Sequence, residues 1–380
     1  MDFEFSEEHR AFRKVVRTFA ETEIAPHAEE WDRTHEFPTN TVRKMGDLGI
    51  FGLPFSEEYG GSGADFTTLC IAIEEISRVD QSMAITVEAG TTLGINPIHE
   101  FGSAQQKERW LPDLLAGRTL AGFGLTEPDA GSDAGATKTR AELDGNEWVI
   151  NGSKAFITNS GTDITSLVTV TARTGDDEIS TFIVPAGTPG LIVEPGYRKM
   201  GWRASDTHGL RLDECRVPTE NLLGQRGQGF RQFLATLDDG RIAIAAMAVG
   251  VLQACLEESV GYAKERTAFG KPIGSYQAIA FKCADLEMWT EAARLLTYRA
   301  AWLKDRAKPF KQAAAIAKLY ATEAAISATR EATQIFGGAG FMDETLVSRH
   351  YRDAKVLEIG EGTSEVQRLV ISRGLGLPVE

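Results

Sequence analysis

The residues best suited to chemistry lie in two polar, glycine-bearing segments that are far apart in the chain. Leu125–Asp133 contains Pro128 and Gly131. Because proline fixes φ and glycine permits positive φ, this turn can bend sharply and present N–H and hydroxyl groups on one side. Such a surface suits a large anionic cofactor. In Gly360–Glu365 a single carboxylate, Glu361, lies between two glycines in an otherwise helical region. Together the two segments indicate a cofactor-binding turn and a candidate base.

Taken alone, neither these residues nor the other glycine-rich runs define an activity. A lone glutamate in a loop is usually only solvated. Phe336–Gly340 follows a helical pattern rather than a strand, so it does not meet the dinucleotide fingerprint and is interpreted as a helix C-cap with a tight turn. The sequence contains no Walker A lysine motif and no G-x-S-x-G, so hydrolysis by a nucleophilic serine is not supported.

Composition excludes several classes of protein. The 380 residues carry a formal net charge of −14, which argues against nucleic-acid binding because that needs a concentrated positive face. The four cysteines form no C-x-x-C pair and the six histidines show no ligand spacing, so we predict neither a disulfide framework nor a metal site. These features favour a cytoplasmic protein with reduced thiols.

No membrane-targeting segment is expected. The N-terminus lacks a basic and an apolar region, so the sequence predicts no signal peptide. The most apolar helical stretch, Ile242–Leu256, is interrupted by Gly250 and Gln253 and is too short to cross a bilayer. We interpret it as a buried helix of a bundle and predict no membrane association.

The elements that must position these residues follow from two changes in hydrophobic period. The pattern is helical from Glu7 to about Gly117, alternating and β-branched from about Ala121, and helical again from Phe230 to Ser372. Helices are predicted near 230–265, 276–305, 310–337 and 344–371. The sequence predicts no helix long enough for a crossover between the strand-like segments of the middle part, which excludes a βαβ arrangement. We therefore predict an α+β fold with an N-terminal helical domain (1–120), a middle antiparallel β-barrel domain (121–226) and a C-terminal four-helix bundle (227–380).

At this point the motifs resemble those of the acyl-CoA dehydrogenases, flavoenzymes that introduce an α,β double bond into a thioester. The resemblance covers nearly the whole chain, and the α–β–α order agrees with that family's fold. Six segments carry it in the family's order: Gly124–Asp133, Trp148–Asn159, Lys199–Arg203, Arg266–Ile273, Gln334–Phe341 and Arg352–Glu365.

The resemblance implies FAD as cofactor and an acyl-CoA as substrate, and it assigns roles to named positions. The residues implied to hold the flavin and its phosphates within one subunit are Phe123, Leu125, Thr126, Gly131, Ser132, Phe156, Ile157, Thr158, Thr363 and Glu365. Those implied to reach the FAD of a neighbouring subunit are Arg266, Phe269, Ile273, Gln277, Gln334, Gly337 and Gly338. Substrate contacts are implied at Ser132, Asp238, Arg241 and Gly362.

Glu361 is the implied catalytic base, removing the α-proton while the β-hydride goes to flavin N5. Some family members place the base at the position occupied here by Gly240, which cannot act as one. Ala268 stands where some relatives have a flavin-bonding threonine, so one cofactor contact is missing. Gly360 stands where many straight-chain relatives carry tyrosine. We therefore predict a roomier pocket and a short-, medium- or branched-chain substrate.

The implied partners are electron-transfer flavoprotein as electron acceptor and further copies of the chain in a homotetramer, a dimer of dimers. Trp202 is either near the docking face or a buried structural residue. An acyl-CoA oxidase is the nearest alternative, but such enzymes are usually longer. Nitroalkane oxidases use aspartate as base, which Glu361 disfavours. A non-catalytic, DNA-associated member would be expected to have a basic extension or to lack the base.

Overall fold

The computed structural model describes residues 4–379, beginning with a helical N-terminal part. Its helices are α1 (Glu7–Phe19), α2 (Ala25–Thr34), α3 (Thr39–Asp47), α4 (Phe66–Val79), α5 (Gln81–Glu88), α6 (Asn96–Phe101) and α7 (Ala104–Leu115). Short π-helical segments, Ala20–Ile24 and Ala89–Ile95, join α1 to α2 and α5 to α6. Helix α7 begins with a capping box between Ser103 and Gln106.

The middle part is a sheet of eight strands. The strands are β1 (Leu120–Gly124), β2 (Arg140–Asp144), β3 (Glu147–Thr158), β4 (Thr165–Arg173), β5 (Ile179–Pro185), β6 (Leu191–Val193), β7 (Thr207–Pro218) and β8 (Leu222–Leu223). The order is β6-β7-β3-β2-β4-β5-β8, with β1 beside β4. The pairings β1–β4 and β2–β4 are parallel and the others antiparallel. The α+β class is confirmed, and the sheet is mixed because β1 enters from α7 in the direction of β4.

Three long helices dominate the C-terminal part: α8 (Gly229–Glu265), α9 (Gln277–Asp305) and α10 (Lys311–Phe336). A small hairpin of β9 (Thr267–Ala268) and β10 (Lys271–Pro272) lies between α8 and α9. Gly337 forms the C-cap of α10, as the sequence predicts. The domain limits 120/121 and 226/227 stay predictions.

The fourth long helix predicted over 344–371 is not continuous. It consists of α11 (Leu346–Ala354), a 3₁₀ turn (Lys355–Glu358) and α12 (Ser364–Gly374). The break falls at the candidate base, because Glu361 and Gly362 have φ of 53° and 93°, outside the right-handed helical region. The same loop therefore interrupts the helix and positions the Glu361 carboxylate.

Helix α8 is the central element of the core. It packs against α4, α9 and α10, and its residues from Gly240 to Leu252 are buried. Among the described residues it is the one helix whose length and apolar composition would allow a membrane crossing, although most of its apolar stretch lies inside the protein. The sequence stretch Ile242–Leu256 lies within α8, whose bounds agree with the helix predicted near 230–265, and its assignment as a buried bundle helix is confirmed.

Candidate active site

Glu361 lies in the loop between α11 and α12, and side chains from other elements hold that loop. The Lys318 ammonium, buried on α10, donates to the Gly362 carbonyl at 2.8 Å. The Gln367 amide donates to the same carbonyl at 2.8 Å. Within residues 4–379 the Glu361 N–H donates to no acceptor. Lys318 and Gln367 thus hold the loop in place, while the Glu361 N–H stays available to a ligand.

The Glu361 side chain turns inward against α8. Both carboxylate oxygens are buried, and neither has a hydrogen-bond partner in the part of the chain that the structure describes. A Cβ atom added to Gly240 would lie 1.7 Å from Glu361 Oε2, far inside van der Waals contact. The carboxylate therefore occupies the space that a side chain at position 240 would need. Buried oxygens without partners are uncommon in folded proteins, and they point to a ligand that supplies the missing donor.

A second buried carboxyl group, Glu88, approaches Glu361 from the end of α5. Glu88 Oε1 accepts a hydrogen bond from the Thr92 hydroxyl at 2.5 Å, while Oε2 has no partner among residues 4–379. The two carboxyl groups are close enough to interact strongly, although their oxygens do not meet the geometry of a direct hydrogen bond. Two neighbouring buried carboxyl groups are unfavourable when both are ionised, so the pair favours holding one proton.

The residues around the two carboxyl groups shift their pKa values to different extents. Burial raises the pKa of Glu361, whereas Glu88 and the nearby cations Lys318 and Arg241 lower it. Burial also raises the pKa of Glu88 well above its ordinary value, and the charge of Glu361 raises it further. Since only Glu361 faces the two cations, we expect the shared proton to reside on Glu88 and Glu361 to be the proton acceptor.

Glu88→Gln should make the stability of the protein less sensitive to alkaline pH. Because the pKa of Glu88 is raised on folding, its contribution to stability is present below the unfolded value of 4.5 and is lost as pH rises through the folded-state pKa. Glutamine keeps the shape and cannot ionise. The fall in thermal unfolding midpoint between pH 5 and pH 8 should therefore shrink in Glu88→Gln. Glu142→Gln, at an exposed position on β2, should behave as the parent; an equal fall in all three proteins would contradict the expectation.

The Leu125–Asp133 turn is anchored by a buried ion pair. The Lys154 ammonium donates to Glu127 at 2.8 Å and to the Leu125 carbonyl at 3.3 Å. Glu127 also accepts from the Lys138 N–H at 2.7 Å and the Thr139 N–H at 3.1 Å. Although burial opposes it, Lys154 holds the pKa of Glu127 below its ordinary value. Glu127 is therefore used for structure, while Pro128, Asp129 and Gly131–Asp133 are exposed.

Three hydroxyl groups around this turn are available to a ligand. The side chains of Thr126, Ser132 and Thr158 have no hydrogen-bond partner among the described residues. A Cβ atom added to Gly131 would meet nothing within 4 Å, so the turn faces open space. Hydroxyls can donate or accept, and these three unpaired groups suit the polar edge and phosphates of a cofactor such as FAD.

Phe156 presents an exposed apolar ring on β3, beside Ala155, whose N–H donates to the Thr126 carbonyl at 2.8 Å. Phe156 has φ of 61° and 65% of its surface exposed, and the β3–β7 register shifts between Lys154 and Ile157. This bulge turns the Phe156 ring outward, while Ile157 stays buried. An exposed ring held by a strained backbone suits contact with a planar ligand.

The strand ends are tied to α5, which carries Glu88, and to α8, against which the Glu361 side chain packs. The ring of Phe123 at the end of β1 stacks on Phe233 of α8 with centroids 3.9 Å apart. The Asn159 amide, just after β3, donates to the Thr86 carbonyl of α5 at 3.1 Å. Phe233 precedes Gly240 by two turns of α8, and Thr86 precedes Glu88 by two residues. The structure therefore brings the Thr126 turn, Phe156 and Glu361 towards one region.

The remaining residues predicted to contact substrate or flavin lie on α8 and at the start of α12. Arg241 donates to Asp238 one turn earlier on α8. Burial raises the pKa of Asp238, and Arg241 opposes that shift. Thr363 forms the N-cap of α12, accepting from the Val366 N–H at 3.3 Å. Glu365 is exposed at the start of that helix. Their ligand contacts stay predictions.

The other predicted cofactor residues form a separate, mostly exposed group at the distal end of the bundle, the end where α8 finishes. Its members are Arg266, Phe269, Ile273, Gln277, Gln334, Gly337 and Gly338. Phe269 is 95% exposed with φ of 51°. Gly240 and Glu265 lie about 38 Å apart along α8 at 1.5 Å per residue. Within residues 4–379 no hydrogen bond, ion pair or ring contact joins this group to the Thr126 turn or the Glu361 loop.

Sequence reasoning missed Glu88, Lys318 and Gln367. The first two carried a usable signal, because Glu88 is the single charge in Ala84–Leu93 and Lys318 the single charge in Ala313–Tyr320. A lone charge in an apolar run is rarely buried without a partner. Gln367 had no such signal, since its role depends on how the loop folds back onto α12.

Comparison with known proteins places these residues in a family. Models for the N-terminal, middle and C-terminal domains of acyl-CoA dehydrogenases match residues 6–118, 122–215 and 227–376. The chain is 51% identical to a probable acyl-CoA dehydrogenase, YngJ, of Bacillus subtilis, over 99% of this chain and 100% of that protein. It is 47% identical to the mitochondrial short-chain specific acyl-CoA dehydrogenase of Mus musculus, over 97% and 90%.

A solved structure agrees with this relationship. The butyryl-CoA dehydrogenase of Megasphaera elsdenii superposes with a TM-score of 0.96 at 42% identity, covering 99% of this chain and all of that one. The N-terminal helical part, the middle β part and the C-terminal helical part described above therefore occur together in a protein of known fold.

Proposed function

Because the chain belongs to the acyl-CoA dehydrogenase family and is a FAD-dependent acyl-CoA dehydrogenase, we propose that it desaturates short-chain acyl-CoA thioesters to trans-2-enoyl-CoA with Glu361 as the base. One observation carries the assignment of the base. The Glu361 carboxylate is buried, has no protein partner among residues 4–379 and rests against a glycine that leaves room for it.

The cofactor and the chain divide the reaction between them. FAD, when bound, accepts the β-hydride at its N5 atom. Thr126, Ser132 and Thr158 would hold it by their unpaired hydroxyls, and Phe156 would cover its ring system. The distal group around Phe269 would serve the FAD of a neighbouring subunit, which its exposure and its distance from Glu361 support.

Glu361 would remove the α-proton of the thioester. Burial raises its pKa, which makes the carboxylate a stronger base than one in water. Its free backbone N–H would donate to the thioester carbonyl oxygen, where negative charge develops as the proton leaves. Removing one such donor typically lowers a rate by about 10²–10³-fold. Side chain and backbone of one residue thus act on adjacent atoms of the substrate.

Lys318, Gln367 and Glu88 would keep that residue in place and in the right protonation state. Lys318 and Gln367 fix the Gly362 carbonyl and so orient the neighbouring peptide. Glu88, holding its proton, would leave Glu361 as the acceptor. The two carboxylate oxygens of Glu361 are buried, so water does not solvate them and weaken them as bases.

Short acyl chains are proposed because the mouse relative is named short-chain specific and the similar solved structure is a butyryl-CoA dehydrogenase. Gly360 adds a second consideration, because a Cβ atom there would meet only the Val356 carbonyl, at 3.5 Å. A larger side chain could be accommodated at this position, and glycine leaves that space open beside the base. We therefore propose that 2-methyl-branched chains are also accepted.

The proposed electron acceptor is electron-transfer flavoprotein, and the proposed assembly is a cytoplasmic homotetramer built as a dimer of dimers. The family resemblance supports the acceptor. The separation of the distal group from Glu361 supports an assembly in which one subunit completes the FAD site of another, so that at least a dimer is needed.

Anaerobic flavin bleaching with a panel of thioesters tests the substrate proposal. Butyryl-CoA should reduce the flavin faster than octanoyl-CoA, and 2-methylbutyryl-CoA should also bleach it. Gly360→Tyr should retain butyryl-CoA reduction and lose most of the reaction with the branched substrate, because the ring fills the space beside the α-carbon. Faster bleaching by octanoyl-CoA would reject the short-chain assignment, and an unchanged branched preference in Gly360→Tyr would reject the role of Gly360.

A further inference from the structure

A small polar cavity lies beside Thr92, the residue whose hydroxyl contacts the Glu88 side chain. Its volume is about 60 Å³, which is room for about two water molecules. The polar residues that line it include Thr92, Asn96, His99, Glu100, Asp239 and Lys304. Glu100 is exposed, so the cavity reaches the surface of the subunit. No residue of the Thr126 turn or of the Glu361 loop lines it. We refer to it as the Thr92 cavity.

Glu88, Thr92 and Asn96 lead from the neighbourhood of Glu361 to this cavity. They are four residues apart and pass from the end of α5 through the π-helical segment Ala89–Ile95 to the start of α6. Residues four apart are neighbours on one face of a helix. π-helical segments are rare and occur frequently at functional sites. A row of three polar side chains therefore runs from Glu88, which is fully buried, to the cavity.

The hydrogen bond between Glu88 and Thr92 can run in either direction. The Thr92 oxygen lies 2.5 Å from Glu88 Oε1 and 2.9 Å from the Glu88 carbonyl oxygen. A hydroxyl has one hydrogen to donate and can also accept. Thr92 donates to Oε1 when Glu88 is ionised. When Glu88 holds a proton on Oε1, it donates to Thr92, and Thr92 donates to the carbonyl. The pair therefore has the geometry of a proton carrier.

A held carboxylate, Asp239, lies on the wall of the cavity. Its Oδ1 accepts from the Lys304 ammonium at 2.7 Å, and its Oδ2 accepts from the Asn96 amide at 3.0 Å. Charged and polar groups around a space of this size hold water in it. Asp239 directly precedes Gly240, against which the Glu361 carboxylate lies. The cavity and the candidate base are thus brought together by adjacent residues of α8.

Under the proposed function, Glu361 holds the α-proton after desaturation and has to lose it before the next turnover. Its oxygens are buried, and bound flavin and thioester would occupy the open side of the site. We propose that Glu88, Thr92 and the Thr92 cavity form a proton outlet that connects Glu361 with solvent. The outlet rests on the proposed role of Glu361 and adds the route by which that residue is returned to its ionised form.

Successive hops would move one proton without changing the net charge of the carriers. Glu361 gives its proton to Glu88 Oε2, which has no hydrogen-bond partner among residues 4–379. Glu88 Oε1 gives the proton that it already held to the Thr92 oxygen, and the Thr92 hydroxyl gives its own proton to water in the cavity. Glu361 is then a carboxylate again, Glu88 is still protonated, and one proton has left. The Asp239 carboxylate stabilises the positive charge that passes beside it.

Thr92→Val tests the outlet, because valine keeps the shape of threonine and removes the hydroxyl. A thioester with sulfur in place of its β-carbon has no β-hydride to lose, so it reports only removal and return of the α-proton. In deuterium oxide, Thr92→Val should introduce deuterium about 10²-fold more slowly than the parent, the lower range for loss of a positioned proton carrier. Anaerobic flavin bleaching in a single turnover with butyryl-CoA should stay within about twofold, because that step needs only Glu361 as acceptor.

Two further variants separate the hydroxyl from the fold. Thr92→Ser keeps the hydroxyl and should exchange at the parent rate. Thr290→Val removes a buried hydroxyl of the same kind, which donates to the Leu286 carbonyl of α9 at 2.7 Å, and should also behave as the parent.

The possible outcomes distinguish the outlet from the reaction. Equal exchange in the parent and Thr92→Val would overturn the outlet and leave Glu361 as the base. An equal loss of bleaching and exchange in Thr92→Val would also overturn it, since Thr92 would then support the site itself. A parent protein that neither bleaches nor exchanges would reject the proposed function, and the outlet with it.

Discussion

Replacing Glu361 by glutamine should lower kcat for acyl-CoA desaturation by about 10²–10⁴-fold, the usual contribution of a positioned general base. The amide has nearly the same shape as the carboxylate and fits the space beside Gly240, but it cannot accept the α-proton. FAD and acyl-CoA should still bind, because the Glu361 N–H, the Gly362 carbonyl contacts and the Thr126 turn are unaffected. Steady-state turnover, flavin absorbance and KM together check this.

Glu344→Gln is the matched control for that substitution. Glu344 is exposed on the segment between α10 and α11, so the same change of charge there should leave kcat within about twofold, as is usual for surface positions. A Glu361→Gln protein with turnover near that of the parent would show that another group removes the proton. Glu88 would then be the first residue to substitute.

Gly240→Ala should lower kcat by about 10²-fold through steric displacement of the base, since a misplacement near 1 Å can have an effect of that size. The added Cβ atom would lie 1.7 Å from Glu361 Oε2 and 2.6 Å from its Cδ, so the carboxylate has to move. The loop that carries it is fixed by Lys318 and Gln367 and cannot follow. Turnover should fall while the flavin content of the protein stays unchanged.

Gly261→Ala provides the comparison on the same helix. A Cβ atom at Gly261 would meet nothing within 4 Å, so this change should leave kcat unchanged and stabilise α8 by up to about 1 kcal/mol through helix propensity. Full activity in Gly240→Ala would mean that Glu361 has another productive orientation. The steric relation between positions 240 and 361 would then have no functional consequence.

Local sequence patterns were sufficient for the order of the fold. Hydrophobic period located the helices α8, α9 and α10 and the change to strands near Ala121, because burial on one face imposes a repeat of 3.6 or 2 residues. The parallel pairing of β1 with β4 could not be predicted in this way, since it joins Leu120–Gly124 to strand residues more than 40 positions away. Strand neighbours are chosen by tertiary packing that a local pattern does not record.

The candidate site was likewise only partly predictable from local sequence patterns. Two flanking glycines mark Glu361 as a candidate, because glycine indicates backbone that departs from a helix, and the family resemblance assigns it the role of base. Its surroundings were not predictable, because Glu88, Gly240 and Lys318 come from three helices and meet only in the folded chain.

Exchange of the substrate α-proton with solvent tests the role of Glu361 most directly. A thioester with sulfur in place of its β-carbon cannot lose a β-hydride, so the enzyme can only remove and return the α-proton. In deuterium oxide the parent protein should introduce deuterium at the α-carbon, seen by NMR or mass spectrometry, and Glu361→Gln should do so at least a hundredfold more slowly. Equal exchange rates in the two proteins would contradict the assignment of Glu361 as the group that takes the proton.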